Sequence, residues 1–129
     1  MQGVASLGCN NYMEYSLESF FQLFVGLQII HSLEEIYTRF DKYWPVWKMS
    51  RRFFVSFEII FSSLLLFVVF YQEFPARLLF MQAFNLLMFA NGIWHLMWAG
   101  VVKKYVPGLM TAPLFLIVFC LYYFSLLAK

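Results

Sequence analysis

Four apolar stretches, each about as long as a membrane crossing, divide this 129-residue chain and limit the folds open to it. They run roughly from Leu17 to Tyr37, Phe53 to Tyr71, Ala76 to Val102 and Leu109 to Leu127. A helix of about 20 residues, rising about 1.5 Å each, crosses about 30 Å of hydrocarbon. Backbone in lipid must pair its polar groups within the segment, and none of the stretches alternates like a barrel strand, so each is predicted as an α-helix. Composition points the same way: 63% of the residues are apolar, 22% aromatic and only 12% charged, about half the charged share of a soluble domain. So little polar surface cannot cover a water-soluble globule. The expected fold is an all-α polytopic membrane four-helix bundle, one transmembrane domain over residues 1–129.

The breaks between stretches carry the turn and charge signals of loops. Asp41-Lys42, Trp44-Pro45 and Arg51-Arg52 mark the first, Gln72, Glu73 and Pro75 the second, and Lys103-Lys104 with Pro107-Gly108 the third. Cytoplasmic loops retain Lys and Arg. Arg39, Lys42, Lys48, Arg51, Arg52, Lys103 and Lys104 fall on one side, against Arg77 and Lys129 on the other. Loops 38–52 and 103–108 are therefore expected in the cytoplasm and both termini outside, in a multi-pass membrane protein, most simply of a bacterial inner membrane. Tyr43, Trp44, Trp47 and Tyr105 read as headgroup anchors on the inner face.

Other classes fall away. A net charge of +2, with no basic run longer than a pair, excludes nucleic acid as a partner. Cys9 and Cys120 make neither a disulfide framework nor a CxxC motif. The first sixteen residues hold no Lys or Arg and include Glu14, so a cleavable leader is not expected.

With the orientation fixed, the ionisable residues share a depth. His31 lies eight positions before Arg39, and His95 eight before Lys103, each about 12 Å inside the inner boundary. Glu58 lies six positions beyond Arg52 and Thr111 seven beyond Lys104. Four helices thus bring polar groups to one layer. His31 to Glu34 and His31 to Glu35 are i,i+3 and i,i+4 steps, so both carboxylates flank the imidazole, and Gln28 extends the face by a turn. Asn91 and His95 are also i,i+4.

Neutral imidazole and carboxylate are the donors that Zn²⁺ and non-haem iron accept. His31, Glu34, Glu35 and His95 are the candidate ligands of a divalent metal, Zn or Fe. Glu34, Glu35 and Glu58 are the candidate acid–base groups, a glutamate not bound to metal serving as general base. Gln28, Asn91 and Thr111 are the expected partners behind them, with Asn91 orienting His95 or a bound water. The plainer alternatives are specific. Glu35 could pair with Arg39 at i,i+4, Glu58 could be hydrated near Arg51 and Arg52, and Trp94 and Trp98 read as packing or belt residues. Pro107-Gly108 reads as the loop that restarts the last helix.

His31-Ser32-Leu33-Glu34-Glu35 resembles the name-giving motif of the HXXEE family of small integral membrane proteins of uncharacterised function. Asn91-Gly92-Ile93-Trp94-His95 and Tyr105-Val106-Pro107-Gly108-Leu109-Met110-Thr111-Ala112 are similar to that family's second signature. The resemblance implies a membrane protein of this size in which those residues matter, and implies no substrate.

Two functions of different class follow. In the first, the layer is a metalloenzyme site, hydrolase or oxygenase in type, acting on a lipid that reaches it from the cytoplasmic leaflet. A metal-free form resembles the small EXPERA-type sterol isomerases, which also pair intramembrane carboxylates with His, Asn and Trp, although the H-x-x-E-E order is closer to the HXXEE pattern. In the second, the same residues carry a metal ion or protons transiently, and a bundle without internal repeats would transport as a homo-oligomer. A chaperone or assembly role, with the polar layer only fixing helix register, is the plainest reading.

Overall fold

The computed structural model describes the backbone of residues 2–127 and the side chains of residues 16–127. Cys9, Glu14 and Lys129, which entered the redox, leader and topology readings, lie outside those side chains. Among the described residues the chain is all helical, with α1 at Gln2–Tyr37, α2 at Phe40–Tyr43, α3 at Arg51–Phe70, α4 at Arg77–Val102 and α5 at Ala112–Leu127. Two of these, Arg51–Phe70 and Arg77–Val102, are long and apolar enough to cross a membrane, and Ala112–Leu127 is a shorter apolar helix.

The elements depart from the expected four helices at three places, the first being α2, which falls inside the loop expected over residues 38–52. α1 starts well before Leu17, because the polar head of the chain holds no proline to stop a helix once formed. α5 starts three residues after Leu109, because residues 107–111 form turns, with Leu109 N–H donating to Val106 O and Ala112 N–H to Gly108 O. Pro113 then falls in the first turn of α5, where its missing N–H costs nothing.

α1 is the centre of the bundle and packs on α3, α4 and α5. Its buried residues form one stripe at helical spacing: Leu17, Phe21, Phe24, Val25, Gln28, His31, Ser32 and Glu35. The stripe is apolar in its first half and polar in its second. α4 answers with Met81, Phe84, Asn85, Met88, Gly92, His95 and Trp98. Phe21 meets Phe84 near one end and His31 meets His95 near the other, so α1 and α4 run in the same direction. α5 returns between them, with Phe24 on Phe115 and Phe20 on Tyr122. Gly92 lets α4 and α5 close up: a Cβ there would lie 2.8 Å from the Ala112 carbonyl oxygen and 3.2 Å from Phe115 Cβ.

α3 leans on α1 and α2 and parts from α4. The two helices are tied near their connecting turn, where Arg77 Nε donates to Val68 O at 3.1 Å and Phe61 rests on Phe84. Arg77 also donates through Nη2 to Glu18 Oε1 at 2.7 Å, anchoring α1 at that end. Towards the polar end of α1 the gap between α3 and α4 widens into a cavity of about 640 Å³. α2 and the loop after it roof the cavity, with Phe40 stacked on Phe54 and Trp44 set against Trp94 and Trp98. Trp44 is thus a half-buried roof residue, whereas Tyr43, Trp47 and Tyr105 are exposed.

Candidate metal centre

The two histidines predicted at one depth lie against each other, their rings 4.8 Å apart at 82°. Both are buried, and Glu35 from the same α1 stripe stands between them. Glu35 Oε1 is 3.4 Å from His31 Nε2 and 3.3 Å from His95 Nε2. Arg39, the alternative partner of Glu35, is directed elsewhere. It adopts a left-handed backbone (φ 67°) that ends α1, and its guanidinium binds both Asp41 oxygens, at 3.1 and 3.0 Å. That contact holds the Asp41 carboxyl below its ordinary value.

Hydrogen bonding fixes the tautomer of His31. Thr111 Oγ1 has one proton, which it donates to Glu34 Oε2 at 2.6 Å. The 2.6 Å contact between His31 Nδ1 and Thr111 Oγ1 is then a bond that the imidazole N–H donates. The lone pair of His31 Nε2 consequently points into the space shared with Glu35 and accepts from Asn91 Nδ2 at 3.2 Å. The same lone pair faces Glu35 Oε1 at 3.4 Å, a repulsion that the Asn91 amide proton relieves in part and that a cation or a shared proton would relieve further.

The donor set fits a metal. His31, Glu35 and His95 each offer a ligand atom, all within 4.8 Å of one another, and form a group that could hold a metal ion. Ligands about 2.0–2.1 Å from a tetrahedral Zn²⁺ stand about 3.3–3.4 Å apart, as Glu35 stands from both imidazoles, while the three ligand atoms together span up to 4.8 Å, so the two rings would draw closer around an ion. Two histidines and one glutamate leave a fourth position for water or substrate.

The neighbouring glutamates are arranged differently from the sequence expectation. Glu34 does not join the group. Its carboxylate accepts from Tyr105 Oη at 2.6 Å, Met110 N at 2.9 Å and Thr111 N at 3.0 Å, in addition to the Thr111 hydroxyl. Consecutive helix positions differ by about 100° in direction, so Glu35 faces the bundle while Glu34 faces the loop before α5. There it caps free amides at the start of that helix. The result seats Gly108 (φ 83°) over both rings: a Cβ at that position would lie 2.6 Å from His31 Cε1 and 2.7 Å from His95 Cε1. Glycine is needed there for its conformation and for its lack of a side chain.

Asn91, expected beside His95, reaches His31 instead. Glu58 is buried outside the triad and accepts from Ser32 Oγ, which in turn accepts from Gln28 Nε2 at 3.2 Å. Sequence reasoning missed Ser32, although it shares the stripe with Gln28 and Glu35. The family resemblance included Gly108 and Tyr105, but the cover and the latch they form went unread, because contacts between separate elements leave no periodic signal. Gln28, Glu35, Glu58, Asn91 and His95 all line the cavity between α3 and α4. Its other walls are aromatic and aliphatic, and among the described residues no Lys or Arg lines it.

No curated protein and no solved structure matches this chain. The family described as proteins of unknown function with an HXXEE motif matches residues 22–123. That span includes His31 to Glu35, the Asn91 to His95 segment and the loop that Glu34 holds. The chain belongs to the HXXEE family.

Proposed function

We propose that this protein is a multi-pass membrane enzyme whose His31, Glu35 and His95 hold a divalent metal, Zn or Fe, facing a cavity that receives a lipid. The observation that carries the reading is the position of Glu35 Oε1, 3.4 and 3.3 Å from two imidazole nitrogens, in a pocket where the His31 Nε2 lone pair, held by Asn91, also faces that carboxylate. Such a metal supplies either an activated water for hydrolysis or a centre for oxygen chemistry. Within this reading Glu35 and the histidines would hold it, and the Thr111–His31 bond sets ring orientation.

A lipid as substrate is supported by the surroundings. Phe57, Ile60, Leu64 and Phe67 form an exposed apolar face on α3, of the kind that lipid covers. The cavity lies between α3 and α4, and Phe40, Phe54 and Trp44 form its walls towards α2. The excess of Lys and Arg in loops 38–52 and 103–108 supports a cytoplasmic position for the α2 side.

Metal analysis of detergent-purified protein tests the proposal. Wild type should carry close to one equivalent of Zn or Fe, and His31→Ala and His95→Ala should lose it while keeping wild-type helicity by circular dichroism. A wild type that binds neither metal, even on reconstitution, would sink the metal and favour a second reading. In that reading the repulsion between His31 and Glu35 is relieved by a shared proton, and the same cavity performs metal-free acid–base chemistry.

A further inference from the structure

On the α3 side of the cavity the polar groups flow in one direction. Gln28 Nε2 donates to Ser32 Oγ, and Ser32 donates to Glu58 Oε2. Two acceptors are left over. Among the described residues Gln28 Oε1 is buried with no donor, and Glu58 Oε1, the less enclosed of the two, receives none either. Both residues line the cavity and are buried, at 4% and 5% exposure. Buried acceptors without donors are uncommon and costly. Glu35 is committed to the two imidazoles, so Glu58 is the carboxylate left for a ligand. The walls add aromatic faces, among them Phe53, Phe57, Trp44 and Trp94, and no positive side chain competes for the carboxylate.

We propose that this cavity binds a membrane amphiphile carrying a primary amine, which enters between α3 and α4 and places its ammonium on Glu58 and Gln28. An ammonium has three donors, enough for both free acceptors, while a hydroxyl has one. It carries the charge that a buried carboxylate requires, and aromatic faces attract it further. An anionic headgroup finds no Lys or Arg here to receive it. A volume of about 640 Å³ suits one slender body, within the roughly 300–1,000 Å³ of small-molecule sites. The inference takes from the proposed function only that a lipid-like ligand occupies this cavity. It names the ligand class and does not require the metal.

Titration with dodecylamine and with dodecanol, followed by the tryptophan fluorescence of protein in neutral detergent, provides the test. The amine should bind roughly tenfold or more tightly than the alcohol, the order expected of a charge-assisted hydrogen bond. Glu58→Gln should bring the amine to the level of the alcohol. Ala90→Phe, at an exposed position on the cavity wall, should weaken both. Should Glu58→Gln fail to fold, Gln28→Met serves in its place and should reduce the preference for amine. Equal affinities in wild type, or a preference for amine that survives in the variants, would overturn the proposal. Running the series before and after chelator treatment separates the two ideas: a metal-free protein that still prefers the amine keeps this site while the metal reading fails.

Discussion

His31 Nδ1 and Thr111 Oγ1 meet at 2.6 Å although eighty positions separate them in the chain. The threonine passes its own proton to Glu34, so one hydroxyl orients a ring of the candidate centre and ties α1 to the start of α5. Thr111→Val keeps the shape and removes the relay. Partners of this kind behind a ligating histidine typically change metal affinity by about 10- to 100-fold when removed. Titration with Zn²⁺ should show a loss of that order for Thr111→Val and recovery in Thr111→Ser. Wild-type affinity in the valine variant would mean that the hydroxyl has no part in setting the ring.

Much of this arrangement was legible in the sequence, and its limits have physical causes. Helical periodicity and the distance from boundary arginines and lysines place His31 and His95 level, and their rings do lie 4.8 Å apart. Spacing within a helix cannot say which of two adjacent carboxylates faces inward, because i+3 and i+4 both flank position i. Glu34 and Glu35 were therefore indistinguishable until the α4–α5 loop was seen to claim the first. Glu58 and Asn91 were assigned to the right layer but not to their partners, since register between helices depends on packing that no single helix encodes. The cavity itself was invisible, because it arises from α3 leaving α4.

The two glutamates should separate by experiment. Glu35→Gln takes the anionic oxygen from between the imidazoles and should abolish stoichiometric metal. Glu34→Gln keeps a carbonyl oxygen for the loop amides but weakens charge-assisted bonds, so metal should remain while residues 103–111 exchange amide hydrogens faster. Hydrogen exchange by mass spectrometry, run beside metal analysis, reads both. Equal loss of metal in the two variants would contradict the division of roles.

Tyr105 gives a pH signature of the same latch. Burial, and then its bond to the Glu34 carboxylate, push its phenol up to about 12 from an ordinary 10.0. The favoured form is the neutral, protonated one. Its contribution to stability is therefore complete below the unfolded-state value and is lost as the pH rises through about 12. Phenolate absorbance should contain a late-titrating component that Tyr105→Phe removes. In that variant loop 103–111 should also lose protection at neutral pH. Titration of Tyr105 near its ordinary value would show that the latch is open in solution.

Asn85 offers a test of the packing away from the centre. It is fully buried on the α4 stripe between Phe84 and Met88, and among the described residues neither Nδ2 nor Oδ1 has a hydrogen-bond partner. An unpaired buried amide costs about 1–3 kcal/mol, and leucine of similar volume removes that cost while adding apolar contact. Asn85→Leu should raise the thermal midpoint in detergent and leave metal content unchanged, since Asn85 lies ten positions from His95. A lowered midpoint would instead place an internal water on this amide, bonded to both of its polar atoms and lost with them. The sign of the shift thus decides whether Asn85 is a defect in the apolar half of the bundle or part of a hydrated layer.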